Sequence, residues 1–133
     1  MNLKEEKYKK YALVREMLET PEIIRSFSPA PAARFADPIK MTKGLFLTGE
    51  GSSRIFPAKR AIAAAMRKGS SFPVLTEGCT QAGEYKLGDY AVFAASNSGQ
   101  TKEVIRLVNG LRREKHSAVF GMTANKATKL EEI

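Results

Sequence analysis

The stretch from residue 90 to residue 111 constrains the fold more than any other part of the chain. Residues 90–95 form an apolar run of the kind found in buried strands. Residues 96–101 are polar and include one glycine, and four apolar residues then recur at helical spacing, namely Val104, Leu107, Val108 and Leu111. The stretch therefore predicts a strand, a tight polar turn and a helix.

The polar turn has the composition of an anion-binding site. Its residues supply three hydroxyls, two amides and one glycine, namely Ser96, Asn97, Ser98, Gly99, Gln100 and Thr101. A helix begins with unpaired backbone N–H groups and partial positive charge, and a glycine lets a ligand approach the backbone closely. A single hydroxyl could simply cap the helix, but a cap needs one side chain and this turn supplies several. We therefore expect the turn to hold an anion, most simply a phosphate.

The rest of the sequence alternates between strands and helices. Strands are predicted at residues 44–48, 71–76 and 116–123, with a helix at residues 56–67 and the start of another at residues 128–133. Such alternation indicates an α/β fold with a parallel sheet. We expect a flavodoxin-like three-layer sandwich with strand order 2-1-3-4-5, in which the first and third strands are neighbours.

A second turn rich in glycine and hydroxyls follows the first predicted strand. It reads Gly49-Glu50-Gly51-Ser52-Ser53. Ligands of parallel sheets bind beyond the carboxyl ends of the strands, so this turn and the one at residues 96–101 are expected to face one ligand. The turn is not a dinucleotide fingerprint, because Arg54 stands where the third glycine would be, and it lacks the Gly-Lys-Ser/Thr of a Walker loop.

Residues 1–43 carry no strand signal and are predicted to be a helical arm and a connector ahead of a domain over residues 44–133. An amphipathic helix is expected over residues 5–18. Pro21 is expected to end this helix and to open a second short one. The arm is expected to pack either on the domain or on a partner chain.

Composition excludes several classes of protein. A chain of 133 residues with 43% hydrophobic residues fits one globular domain. No apolar run approaches the roughly 18 residues that suit a membrane span, and the charged N-terminus lacks the apolar core of a signal peptide. A cytoplasmic protein without a membrane partner is therefore expected. Cys79 is the single cysteine and His116 the single histidine, so neither a disulfide nor a metal site is expected.

The net charge of +8 is spread along the chain rather than gathered in one run. No nucleic-acid-binding motif accompanies the basic residues. The charge therefore favours anionic ligands in general over nucleic acid as a partner.

Four turns together resemble the SIS (sugar isomerase) family of phosphosugar-binding domains, over about residues 44–130. Residues 49–53 fit the family's G-x-G-[ST]-S turn, and residues 96–101 fit its S-x-S-G-x-T turn, although Gln100 stands where Glu is common. Thr76-Glu77 and Met122-Thr123-Ala124-Asn125 stand where the family has Ser-Glu and an I-T-N-like turn. The likeness extends to the isomerase domains of glucosamine-6-phosphate synthases and related phosphosugar isomerases.

The resemblance implies a sugar phosphate as the ligand, such as fructose 6-phosphate or glucosamine 6-phosphate. It implies that Ser96, Ser98 and Thr101, with the backbone of their turn, hold the phosphate, while Ser52 and Ser53, which follow Gly51, contact the ligand from the other side. The implied activity is that of an aldose–ketose sugar-phosphate isomerase, or of an aminosugar-phosphate isomerase or deaminase, without a cofactor. The alternative is a regulatory module that senses a phosphosugar without chemistry. A homo-oligomer is expected.

Candidates for acid–base catalysis are few in this sequence. Glu77 is one candidate, whereas Glu50 is expected to point to solvent or to cap a neighbour, because its charge would repel a phosphate. His116 is expected at the surface, at the amino end of the sheet, and Cys79 is expected to be inert. The SIS family has a fifth strand and places catalytic residues in later sequence or on another subunit. The resemblance therefore implies that this chain is the first part of a longer protein, or that a partner completes it.

Overall fold

The computed structural model describes residues 2–133 and divides the chain into two compact units, which meet at the bond between Arg34 and Phe35. The sequence predicted a boundary after residue 43. The second unit begins earlier because Phe35 packs edge-to-face on Phe120, with ring centroids 5.2 Å apart. Helix α3 (Ala36–Lys40), which follows Phe35, also packs on the sheet.

The first unit contains helices α1 (Glu6–Lys9) and α2 (Ala12–Ser26), followed by a 3-10 helix (Ala30–Phe35) that reaches the unit boundary. The prediction of one helix over residues 5–18 that ends at Pro21 is wrong. The chain leaves the helical conformation at Tyr11, and α2 then continues through Pro21. Proline removes one backbone hydrogen bond from a helix, and α2 has no buried residue, so water can reach the carbonyl that loses its partner.

The sheet of the second unit has four parallel strands: β1 (Gly44–Gly49), β2 (Val74–Gly78), β3 (Tyr90–Ser96) and β4 (Val119–Thr123). Their order is β2-β1-β3-β4, with β1 and β3 as hydrogen-bonded neighbours. The predicted α/β class, the parallel sheet and the neighbouring first and third strands are confirmed.

Strands β2 and β4 begin later than predicted because side chains bind the backbone just ahead of them. The Ser70 hydroxyl accepts the N–H of Phe72 at 3.2 Å. The Nδ1 atom of His116 accepts the N–H of Ala118, also at 3.2 Å. These local hydrogen bonds compete with the ladder, so regular pairing starts only at Val74 and Val119.

Helix α4 (Ser52–Arg67) follows β1, and α6 (Lys102–Arg113) follows β3. The short helices α5 (Cys79–Ala82) and α7 (Lys129–Glu132) follow β2 and β4. Helix α4 begins four residues before the predicted residue 56. Ser52 and Ser53 therefore lie in its first turn rather than in a loop.

Helices cover both faces of the sheet. On one face α5, α6 and α7 enclose the main core, which contains Phe46, Val92, Val104, Leu107, Val108, Leu111 and Leu130. On the other face α4 buries Ala58 against the strands, and Phe93 packs near Phe120 and so extends the contact with Phe35. The result is a three-layer sandwich. Within residues 2–133, no helix combines the length and apolar character that crossing a bilayer would require.

Two glycines are expected to respond oppositely to alanine. Gly49 has φ 150°, and a Cβ there would lie 2.5 Å from the Ala95 carbonyl oxygen, so Gly49→Ala should destabilise the fold by roughly 1–3 kcal/mol. Gly110 lies inside α6 with open space around it, so Gly110→Ala should stabilise the fold by about 1 kcal/mol. Urea unfolding measures both free energies. Equal effects of the two variants would contradict the close approach of β1 to β3.

Candidate functional site

A cleft of about 340 Å³ opens at the carboxyl edge of the sheet, where β1, β3 and β4 end. Its walls come from the start of α4, the end of β3 and the end of β4: Ser53, Pro57, Ala95, Ser96, Asn97, Met122, Thr123 and Ala124. We call residues 49–53 the β1 turn, residues 96–101 the β3 turn and residues 123–128 the β4 turn. The structure thus brings Ser53 of the β1 turn together with Ser96 and Asn97 of the β3 turn.

The β1 turn leads into α4 without a capping side chain. Gly51 is the N-cap residue, with φ 52° and ψ −135°, a conformation that only glycine adopts readily. Because glycine has no side chain, it leaves the first-turn N–H groups of α4 without a side-chain acceptor. Ser52 is exposed in that first turn, and Ser53 is half-buried in the wall of the cleft.

Pro57 lies inside α4, one turn after Ser53. A helical residue normally donates its N–H to the carbonyl four positions earlier, and proline has no N–H to donate. The Ser53 carbonyl therefore lacks its usual helical donor. Since Ser53 and Pro57 both line the cleft, this carbonyl is an acceptor at the cleft wall.

The buried hydroxyl of Ser96 holds the β3 turn together. Ser96 is 3% exposed, and its Oγ accepts the N–H of Gly99 at 3.0 Å. The same oxygen lies 2.8 Å from Oγ1 of Thr101, in a hydrogen bond between the two hydroxyls. Thr101 is the N-cap residue of α6 but makes no side-chain capping bond. Ser96 and Thr101 therefore fix the shape of the turn, and the N-terminus of α6 remains uncapped by a side chain.

The exposed part of the β3 turn consists of Asn97, Ser98 and Gln100. Ser98 Oγ accepts the Gln100 N–H at 3.2 Å. Gly99 between them is buried and has φ 63°. Of these four residues only Asn97 lines the cleft.

The β4 side of the cleft was not among the binding residues expected from the sequence. Met122, Thr123 and Ala124 form it. The signal that could have placed them is the polar turn after the fourth predicted strand, because parallel strands end at one edge of the sheet.

The candidate catalytic residue Glu77 ends β2 and does not line the cleft. Its Oε1 accepts the N–H of Gly78 at 3.0 Å and lies 3.7 Å from Nη1 of Arg54. Glu50 Oε1 accepts the N–H of Cys79 at 2.9 Å, at the start of α5, so it caps a neighbour as expected. Both carboxylates are engaged by backbone groups.

Cys79 is buried, and its Sγ lies 3.3 Å from Oγ1 of Thr48. Burial raises the pKa of the thiol above its ordinary value, and the negative charge of Glu50 raises it further. The thiol therefore stays protonated at neutral pH, as expected of an inert cysteine. Among the residues that the structure describes, no three His, Cys, Asp or Glu side chains group as a metal site would require.

His116 lies at the opposite, amino end of the sheet. It is half-buried rather than at the surface, and its Nε2 is 2.9 Å from the Leu87 carbonyl oxygen. Because Nδ1 accepts the Ala118 N–H, Nε2 carries the proton and donates to that carbonyl. His116 thus links the starts of β3 and β4, away from the cleft.

The hydroxyls of Ser96 and Ser98 are expected to differ in their effect on stability. Ser96→Ala removes a buried acceptor of the Gly99 N–H and should cost about 1–3 kcal/mol in the free energy of unfolding. Ser98→Ala alters an exposed position and should change that free energy by no more than about 0.5 kcal/mol. Thermal and urea unfolding of both variants check this. A larger loss for Ser98→Ala would contradict the role given to Ser96.

Solved structures share this architecture. A protein of Escherichia coli CFT073, solved in complex with a phosphosugar, matches with a TM-score of 0.63 and 23% identity, over 89% of this chain and 63% of its own. Tagatose-6-phosphate ketose/aldose isomerase from Escherichia coli matches with a TM-score of 0.68 and 20% identity, over 92% of this chain and 37% of its own. A candidate sugar-phosphate isomerase from Listeria monocytogenes matches with a TM-score of 0.65 and 16% identity, over 96% of this chain and 70% of its own.

The chain spans less than two thirds of the first two of these structures. No family model matches the sequence, and no curated protein does. At identities below 25% the likeness is one of fold. The chain has the α/β fold of phosphosugar isomerases, which is the fold that the resemblance to the SIS family implied.

Proposed function

We propose that the chain binds a phosphorylated sugar in the cleft at the carboxyl edge of its sheet. The observation that carries this proposal is that Ser53, in the first turn of α4, and Ser96 and Asn97, in the turn before α6, line one cleft. Its volume of about 340 Å³ lies within the range of small-molecule sites, roughly 300–1,000 Å³.

The two helix N-termini supply the attraction for the phosphate. Helices α4 and α6 have 16 and 12 residues, and neither has a side-chain cap at its start. Unpaired N–H groups and the helix dipole favour an anion there. The net charge of +8 adds a favourable background field.

The rest of the cleft suits the carbon skeleton of a sugar. Pro57, Ala95 and Met122 form apolar parts of the wall. The Ser53 carbonyl, which lacks a helical donor because of Pro57, can accept a hydrogen bond from a sugar hydroxyl. The fold match to a protein solved in complex with a phosphosugar supports the same class of ligand.

We propose that the binding serves an aldose–ketose sugar-phosphate isomerase, or an aminosugar-phosphate isomerase or deaminase. Such reactions need an acid and a base to move protons. None of the residues that line the cleft in the described part of the chain has a carboxylate, imidazole or amine side chain. The acid and base are therefore proposed to come from other sequence or from a second copy in a homo-oligomer. Glu77 would serve only after releasing the Gly78 N–H.

The same lack of acid–base groups in the cleft wall favours a second candidate, a phosphosugar-sensing module that regulates a partner without chemistry. Turnover separates the two candidates. Conversion of fructose 6-phosphate or glucosamine 6-phosphate, followed by proton NMR, supports the enzyme, and binding without conversion supports the sensor. A cytoplasmic location is proposed for either, because the single cysteine is free.

Calorimetric titration tests the binding. Fructose 6-phosphate or glucosamine 6-phosphate should bind, and the matching free sugars should not. Ser53→Ala and Ser98→Ala should each weaken binding by about 1–3 kcal/mol, as expected for loss of a hydrogen bond to a charged group. The control is Ser117→Ala, an exposed serine just before β4 at the amino end of the sheet, which should bind as the wild type does. Equal affinity for free and phosphorylated sugars would contradict the proposal.

A further inference from the structure

The β4 turn holds one backbone carbonyl of the β3 turn through several donors. Nδ2 of Asn125 donates to the Asn97 carbonyl oxygen at 2.8 Å. The N–H of Ala124 donates to the same oxygen at 3.3 Å, and Oγ1 of Thr123 lies 3.3 Å from it. Since the acceptor is a carbonyl, the NH₂ group of Asn125 must face it. The shortest of these contacts is the one made by the Asn125 side chain.

A second carbonyl of the β3 turn is held from the same side. The Leu130 N–H, in α7, donates to the Gly99 carbonyl oxygen at 3.1 Å. Thr128, which caps α7, lies directly against Gly99, where any Cβ would overlap its side chain. The β4 turn and α7 thus fix the peptide planes on both sides of Ser98.

The direction of these carbonyls sets the direction of the neighbouring N–H groups. In a planar trans peptide the C=O and the following N–H point in opposite directions. The carbonyls of Asn97 and Gly99 point toward the β4 turn and α7, so the N–H groups of Ser98 and Gln100 point away from them. An anion is attracted by N–H groups and repelled by carbonyl oxygens. The β3 turn therefore offers donors at its exposed side because its carbonyls are held elsewhere.

We infer that Asn125 is a positioning residue for the anion site, which it orients by holding the Asn97 carbonyl away from the ligand. This inference rests on the proposed phosphosugar function. Asn125 does not line the cleft, so its effect on the ligand runs through the peptide between Asn97 and Ser98. Losing its amide donor frees that peptide to turn its carbonyl toward the phosphate.

Two variants isolate the amide donor. Asn125→Ala removes it without adding charge, and Asn125→Asp removes it while keeping the shape of the side chain. Both should weaken fructose 6-phosphate binding about fivefold or more, the loss expected for one net hydrogen bond. The control is Asn109→Ala, a half-buried asparagine within α6, which should retain wild-type affinity. Calorimetry gives the affinities, and thermal unfolding confirms that each variant is folded.

Amide NMR supplies a readout that a space-filling role would not change. Fructose 6-phosphate should shift the Ser98 and Gln100 amide signals in the wild type, and these shifts should shrink in both Asn125 variants. Wild-type affinity and shifts in Asn125→Asp would overturn the inference while leaving the binding site intact, and this variant decides the matter if Asn125→Ala does not fold. If the wild type itself does not bind, the proposed function fails and the inference fails with it.

Discussion

The site depends on the parallel pairing of β1 with β3. The register sets Gly49 opposite Ala95, so both strands reach the carboxyl edge of the sheet together. Gly49 lets the two backbones approach, since a Cβ there would meet the Ala95 carbonyl oxygen. The turns that follow these strands are therefore neighbours, and the two helices that they start direct their N-termini toward the same edge. No single turn could supply this convergence of two positive helix ends.

Much of the fold could be predicted because its strongest patterns are local. The apolar run before Ser96 and the helical repeat after Thr101 predicted β3 and α6, and alternation of strands and helices predicted the parallel sheet with β1 beside β3. Errors arose where one side chain or one environment decides. Helix α2 continues through Pro21 because it is exposed to water, and β4 starts late because His116 binds the Ala118 N–H.

The roles of residues within the site were harder to predict than its position. A sequence shows that Ser96, Ser98 and Thr101 carry hydroxyls, but not which of them are buried. In the structure Ser96 and Thr101 bind each other and fix the turn, whereas Ser98 is exposed. Likewise, the engagement of Glu77 by the next backbone N–H depends on side-chain conformation, which no spacing rule encodes. The wall formed by the end of β4 was missed because its apolar members resemble ordinary strand residues.

The described residues thus combine a rigid turn, two uncapped helix ends and a cleft without acid–base side chains in its wall. The most direct test is a crystal structure of the chain with fructose 6-phosphate bound. Our account predicts the phosphate between Ser53 and the β3 turn, with hydrogen bonds from backbone N–H groups at the starts of α4 and α6. Density for the sugar phosphate elsewhere, such as in the cavity near Tyr85 and Lys86 beside β2, would contradict it.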